Sequence, residues 1–217
     1  MNFIPSNLLI YAVTESSKEY SDELYNKVKE ALEGGATLIQ LREKELSIED
    51  FTAEAKKIKK LCDAYSVDLI INDNLDVALA VDASGIHIGQ SDLPLREVRK
   101  KLGFKKIIGV SARTLEDALA AKKDGADYIG VGAMYYTSTK TDALKVSFDT
   151  LKLITKTVDI PVCVIGGIKM NNLEEFSDTG IDGFAIVSEI FSNSNIKKIT
   201  KKLKLKANEV LNKGGIL

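Results

Sequence analysis

An α/β fold is predicted, and within it a closed (β/α)8 TIM barrel formed as one domain over residues 1–217. Three observations predict it. Short runs rich in Ile and Val recur along the chain, each followed by a segment with helical spacing, and that alternation implies parallel strands joined by helical crossovers. The runs number eight, the strand count of this barrel. The segments G-A-T-L-I-Q (35–40), G-A-D-Y-I-G (125–130) and G-I-D-G-F-A (180–185) share one plan in which a helix gives way through glycine to a strand. A quasi-repeat at roughly 25-residue spacing suits a closed barrel better than an open doubly wound sheet.

The first strand is expected at Leu8–Val13, followed by a helix at Ser21–Glu33 and a strand at Thr37–Leu41. Ser47 opens S-I-E-D with the spacing of a capping box, so a helix over Ser47–Tyr65 starts there and leads to a strand at Asp68–Ile71. Asp73-Asn74 begins a helix, and Gly85–Ile88 is the fourth strand. Helix Leu95–Lys101, strand Ile107–Val110, helix Leu115–Lys123 and strand Tyr128–Val131 continue the alternation. Helix Ser147–Lys156, strand Val162–Ile165, helix Asn171–Asp178 and strand Gly183–Ile186 complete it. The last helix, Ser194–Leu211, places Ile196, Ile199, Leu203 and Val210 on one face and lysines on the other. Gly34, Gly103, Gly125 and Gly180 read as C-terminal stops.

Composition narrows the function classes. With 30 basic and 31 acidic residues the formal net charge is -1, which provides no field for nucleic acid or an acidic membrane. The first apolar run has no basic residues ahead of it and is too short for a membrane span, so no leader or anchor is expected. Cys62 and Cys163 have no metal-ligand spacing and fit a reducing, cytoplasmic setting. His87 is the only histidine, which excludes a histidine dyad and a multi-histidine metal site; it lies within the fourth strand and is read as structural. Apolar residues outside the barrel would permit a homodimer.

In a barrel of this kind, chemistry belongs at the C-terminal strand ends. Polar residues concentrate there: Gln40, Arg42 and Lys44; Asn72 and Asp73; Gln90 and Asp92; Ser111; Thr137–Lys140; Gly166 and Gly167; and Ser188. In Q-L-R-E-K, alternate residues would share a face, and an amide, a guanidinium and an ammonium together call for an anion. A rim of salt bridges to Glu43 and Glu45 is the alternative. Asp73 and Asp92 come from adjacent strand ends and, facing those cations, would form a hard-oxygen Mg²⁺ site with phosphate and water; separately each would be a cap or turn residue. The long loop after strand six carries Thr137, Ser138, Thr139, Lys140 and Thr141, hydroxyls and a cation suited to a phosphorylated ligand, unless it is simply a solvated surface loop. Gly166-Gly167 after strand seven and a short helix starting near Ser188 after strand eight match the usual phosphate position of such barrels.

Taken together, Q-L-R-E-K (40–44), I-N-D (71–73), G-I-H-I-G-Q-S-D (85–92), G-V-S-A (109–112), T-S-T-K-T-D (137–142), I-G-G-I (165–168) and I-V-S-E-I (186–190) resemble the thiamine-phosphate synthase family over nearly the whole chain. The resemblance implies a transferase that joins 4-amino-2-methyl-5-hydroxymethylpyrimidine diphosphate to a thiazole phosphate, releasing pyrophosphate, with Mg²⁺ as cofactor. It implies pyrimidine diphosphate contacts from Gln40, Leu41, Arg42, Glu43, Lys44, Asn72, Ser111 and Lys140, with Arg42, Lys44, Lys140 and Ser111 as the catalytic set. Asp73 and Asp92 would bind the metal, and Thr137, Ser138, Thr139, Gly167, Val187 and Ser188 the thiazole phosphate. The family usually has Gly-Pro and an aromatic-Pro pair before its T-x-T-K, where this chain has Gly132-Ala133-Met134-Tyr135-Tyr136. Ser91 stands where a larger or acidic residue is more usual. Three rival readings stand beside it: a thiazole tautomerase on the same barrel, against which the retained Arg42, Lys44, Asp73, Asp92 and Lys140 weigh; another barrel acting on sugar or indole phosphates, which would need acid and base residues inside the barrel that the sequence does not show; and a non-catalytic phosphate-ligand sensor, against which Asp73 and Asp92 weigh.

Overall fold

The structure is a computed structural model and describes residues 3–16, 22–136 and 145–213. Eight parallel strands close into a barrel in sequence order: β1 (Ile10–Val13), β2 (Leu38–Leu41), β3 (Asp68–Asn72), β4 (Gly85–Ile88), β5 (Ile107–Ala112), β6 (Tyr128–Val131), β7 (Val162–Val164) and β8 (Gly183–Ile186). Closure is made by β1 against β8, with Ile10 opposite Phe184 and Ala12 opposite Ile186. The expected (β/α)8 TIM barrel is therefore the observed fold.

The helices are α1 (Asp22–Glu33), α2 (Ile48–Ala64), α3 (Leu75–Ala80), α4 (Leu95–Leu102), α5 (Leu115–Asp124), α6 (Phe148–Thr157), α7 (Ser188–Phe191) and α8 (Ile196–Lys213). Side chains start several of them: Ser47, Asn74, Thr114 and Ser147 each accept an amide hydrogen from the first turn of α2, α3, α5 and α6. Strand alternation produces two apolar layers. Ile10, Ala12, Ile39, Leu41, Leu69 and Ile71 face the helices, together with Cys62 of α2. Tyr11, Val13, Leu38, Ile70, Tyr128, Cys163 and Ala185 fill the barrel itself, and Leu8 joins them from below.

Three sequence expectations change. The first strand begins at Ile10, because Pro5–Leu8 forms a 3-10 turn whose Leu8 carbonyl lies where a Cβ on Gly183 would fall, 1.8 Å away. The helix expected at Asn171–Asp178 is a 3-10 turn over Leu173–Phe176; only these two residues are buried along it, and a spacing of three matches that tighter helix. After α1 the left-handed residue is Gly35 (φ 96°), not Gly34, which is small because α8 crosses it: a Cβ there would meet the Thr200 Cβ at 2.6 Å.

Candidate active site

The Q-L-R-E-K segment leaves the barrel as β2 ends at Leu41, so strand alternation reaches Gln40 but not Arg42 or Lys44, which lie in the turn beyond. Thr14 at the end of β1 holds that turn. Its hydroxyl accepts the Arg42 amide hydrogen at 2.9 Å, and it donates to the Arg42 carbonyl at 3.4 Å. Ser16 repeats the device one step on, accepting from the Lys44 amide at 2.8 Å and donating to Glu43 at 3.0 Å.

Lys44 turns instead to β3, where its ammonium donates to Asp73 Oδ2. Asp73 has a left-handed backbone (φ 58°), and its amide donates to the His87 carbonyl on β4 at 2.8 Å, which fixes the carboxylate at the rim. Asp92 returns from the β4 loop and accepts the Gly89 amide hydrogen at 2.6 Å. The two carboxyls meet. Burial pushes Asp73 up, but the bonds from Lys44 and Asp92 outweigh it and hold the group below the usual carboxylate range. Asp92 is pushed the other way, first by burial and then by its neighbour's charge, against the pull of the Gly89 amide. Two carboxylates this close require a shared proton or a shared cation. Their hard oxygens fit Mg²⁺, which takes one or two protein carboxylates and completes its octahedron from phosphate and water. No cluster of three or more His, Cys, Asp or Glu groups is placed to hold a metal among the described residues.

A third acidic group was not among the expected site residues. Glu54 of α2 is only 3% exposed, and neither of its carboxylate oxygens has a hydrogen-bond partner among the described residues. Burial first, then the charge of Glu43, pushes it from an ordinary 4.5 to about 7. The signal was available: Phe51, Glu54, Ala55 and Ile58 have the spacing of one helix face, and the other three are apolar.

Inside the barrel a chain of polar groups crosses from β2 to β5. The Gln40 amide donates to the Tyr11 hydroxyl at 2.5 Å, and the Tyr11 and Tyr128 hydroxyls are 2.6 Å apart. Tyr128 is 3.0 Å from His87 Nδ1, and His87 Nε2 is 3.0 Å from Ser111 Oγ. Burial raises both tyrosines well above their ordinary value and lowers His87 to about 4, opposed there by the Asp73 charge, so the imidazole is neutral. His87, expected as structural, thus touches an expected site residue. Gln90 steadies the same strand end by donating to the Ser111 carbonyl at 2.7 Å. Asn72 ends β3 beside His87 and is buried.

Across the same rim, Gly166 (φ 95°) and Gly167 (φ 65°) follow β7 in left-handed conformations. A Cβ on Gly167 would lie 2.7 Å from that of Tyr135 and 2.8 Å from the Tyr136 carbonyl. The stretch after β6 runs beside them: Met134 and Tyr135 amides donate to Ile165 and Gly166 carbonyls, each at 3.0 Å, and the Val146 amide donates to Ala133 at 2.8 Å. Tyr135 packs edge-on to Phe148 and Phe176, with ring centroids 6.5 and 6.2 Å away. Asn172 donates to the Gly167 carbonyl at 2.9 Å, while Val187 precedes α7 and its carbonyl accepts from Ile190 and Phe191. Thr137, Ser138, Thr139, Lys140 and the rest of T-S-T-K-T-D lie outside the described residues.

Comparison with known proteins identifies the family. A family model described as thiamine monophosphate synthase matches residues 10–190. Thiamine-phosphate synthase of Clostridium botulinum is 53% identical over 195 residues, covering 90% of this chain and 92% of that protein. The protein of the same description from Clostridioides difficile is 46% identical over 199 residues, covering 92% and 95%. Among solved structures, thiamine phosphate pyrophosphorylase from Pyrococcus furiosus superposes with a TM-score of 0.86 at 36% identity, covering 95% of this chain and 98% of that one. With its barrel, its paired rim carboxylates and relatives alike over most of their length, the chain belongs to the thiamine monophosphate synthase family of transferases.

Proposed function

We propose that this chain couples 4-amino-2-methyl-5-hydroxymethylpyrimidine diphosphate to 4-methyl-5-(2-phosphooxyethyl)thiazole, forming a C–N bond and releasing pyrophosphate. The observation that carries the reading is the Asp73–Asp92 pair with Lys44 against it, a metal-and-diphosphate arrangement at the rim of a barrel of this family. Asp73 and Asp92 would hold Mg²⁺, whose charge would neutralise the leaving diphosphate. Arg42 grips phosphate oxygens with its fork of donors, and Lys44 and Lys140 add point charges. Gln40, Asn72 and Ser111 complete the pyrimidine diphosphate side, while Leu41, whose side chain faces the helices, and Glu43, whose carboxylate lies toward Glu54 of α2, take part through their backbone. Gly167, Val187 and Ser188 hold the thiazole phosphate with Thr137, Ser138 and Thr139, where glycine allows close backbone approach and the opening turn of α7 supplies amides.

The chain then acts by orientation and charge. As the C–O bond to the diphosphate breaks, negative charge grows where Arg42, Lys44 and Ser111 lie, and donors aimed there lower the barrier. The thiazole nitrogen is already a nucleophile and needs only positioning. No general base is required, which suits a chain whose single histidine is neutral and buried. Two buried free cysteines accord with a reducing compartment, and we place the enzyme in the cytoplasm as a single domain.

A pyrophosphate-release assay tests the reading. Release that needs both phosphorylated substrates and Mg²⁺ supports it. No release, with binding of thiazole phosphate intact, would reject coupling and move the chain to the tautomerase.

A further inference from the structure

The chain of polar groups inside the barrel has a direction. An amide nitrogen can only donate, so the Gln40 end is fixed. Tyr11, accepting there, directs its own hydrogen to Tyr128. Tyr128 then directs its hydrogen to Nδ1 of His87, and an Nδ1 that accepts leaves the ring's N–H at Nε2, facing Ser111 Oγ. Ser111 is an acceptor in this chain, and among the described residues its hydroxyl makes no other hydrogen bond. Its hydrogen is left for an acceptor at the barrel mouth.

We propose that Tyr11, Tyr128 and His87 are positioning residues that hold Ser111 as a hydrogen-bond donor toward the pyrimidine diphosphate. Every bond in the series points its hydrogen from β2 toward β5, and such chains polarise in one sense. The end of the series is a hydroxyl made a better donor, as a group meeting an anionic oxygen should be. The same series ties Gln40 to Ser111 through three rings, so the two ends of the diphosphate pocket share one internal brace. This deepens the coupling reading and rests on it for the identity of the anion.

The test uses the full-length enzyme without substrate, labelled with ¹⁵N-histidine. A chain with one histidine shows one pair of ring nitrogen resonances, both from His87. We expect Nε2 to be protonated and Nδ1 to be an acceptor, and Tyr128→Phe to abolish that preference. In the coupling assay, Tyr128→Phe should lower kcat about tenfold, the loss of one buried hydrogen bond, with the KM for thiazole phosphate within about twofold. Tyr11→Phe keeps the Tyr128 bond and should leave the tautomer unchanged while raising the KM for pyrimidine diphosphate. Protonation at Nδ1, protonation at both nitrogens, or a tautomer indifferent to Tyr128→Phe would each overturn the proposal. Because the resonances are read without substrate, a failed coupling assay leaves this result interpretable, and the reverse.

Discussion

Replacing Glu54 by Gln should make the protein more stable at pH 8 and leave it nearly unchanged at pH 5. The wild-type carboxyl is buried on α2 beside Glu43, which moves its ionisation from 4.5 to about 7. The folded state therefore holds this proton more tightly than the unfolded chain does. Below pH 4.5 both states are protonated and the group contributes fully; as pH rises the unfolded chain ionises first, and stability falls until about pH 7. The difference between 4.5 and about 7 corresponds to at most about 3 kcal/mol. Glutamine keeps the shape and removes the ionisation, and burying its amide where the carboxyl has no hydrogen-bond partner among the described residues costs about 1 kcal/mol. A net gain of about 2 kcal/mol at pH 8 is about 4–8 °C in Tm for a chain of this length. Thermal unfolding of both proteins at the two pH values measures it, and every other titrating group cancels in the comparison. Parallel pH profiles would show that Glu54 ionises freely in the fold.

Other perturbations separate the two ends of the site. Asp73→Asn and Asp92→Asn should each reduce coupling by about 100-fold or more and raise the Mg²⁺ needed for half-maximal rate; wild-type turnover in either would remove the metal assignment. Lys140→Ala should lower kcat far more than it weakens thiazole phosphate binding, and calorimetry showing a pure affinity loss would put the residue at the other phosphate. Gly167→Ala forces a Cβ to within 2.7 Å of Tyr135 at a φ of 65°. It should raise the KM for thiazole phosphate about tenfold or more while leaving the pyrimidine KM alone, as steady-state kinetics in each substrate would show.

Strand positions were legible because each strand is a short apolar run, five of the eight closed by glycine or a charged residue, and Gly85–Ile88, Tyr128–Val131 and Gly183–Ile186 occupy the residues expected of them. The departures arise where tertiary contacts decide. Leu8 resembles strand residues, yet Pro5 starts a turn that carries it beneath Gly183. Asn171–Asp178 has polar residues enough for a helix but only two buried ones to anchor it. Charged rim residues such as Lys44 and Asp73 could be picked out because their chemistry is unusual at strand ends. Tyr11 and Tyr128 could not: each reads as an ordinary strand aromatic, and their contact joins residues 117 apart that only barrel closure brings together. Glu54 hid for the opposite reason, since a glutamate in an amphipathic helix reads as solvated unless its place on the apolar face is counted.

The two cysteines fall on opposite sides of the barrel wall. Cys163 belongs to the interior and Cys62 to the layer beneath the helices, and both thiols are free and buried. Burial pushes Cys62 up to about 12 and Cys163 higher still, so neither offers a thiolate to an alkylating reagent near neutral pH while the fold is intact. Labelling must then wait for an opening event. The native sequence thereby contains two exchange-type clocks, and the order in which they are struck tells whether helices peel from the wall before the barrel itself parts.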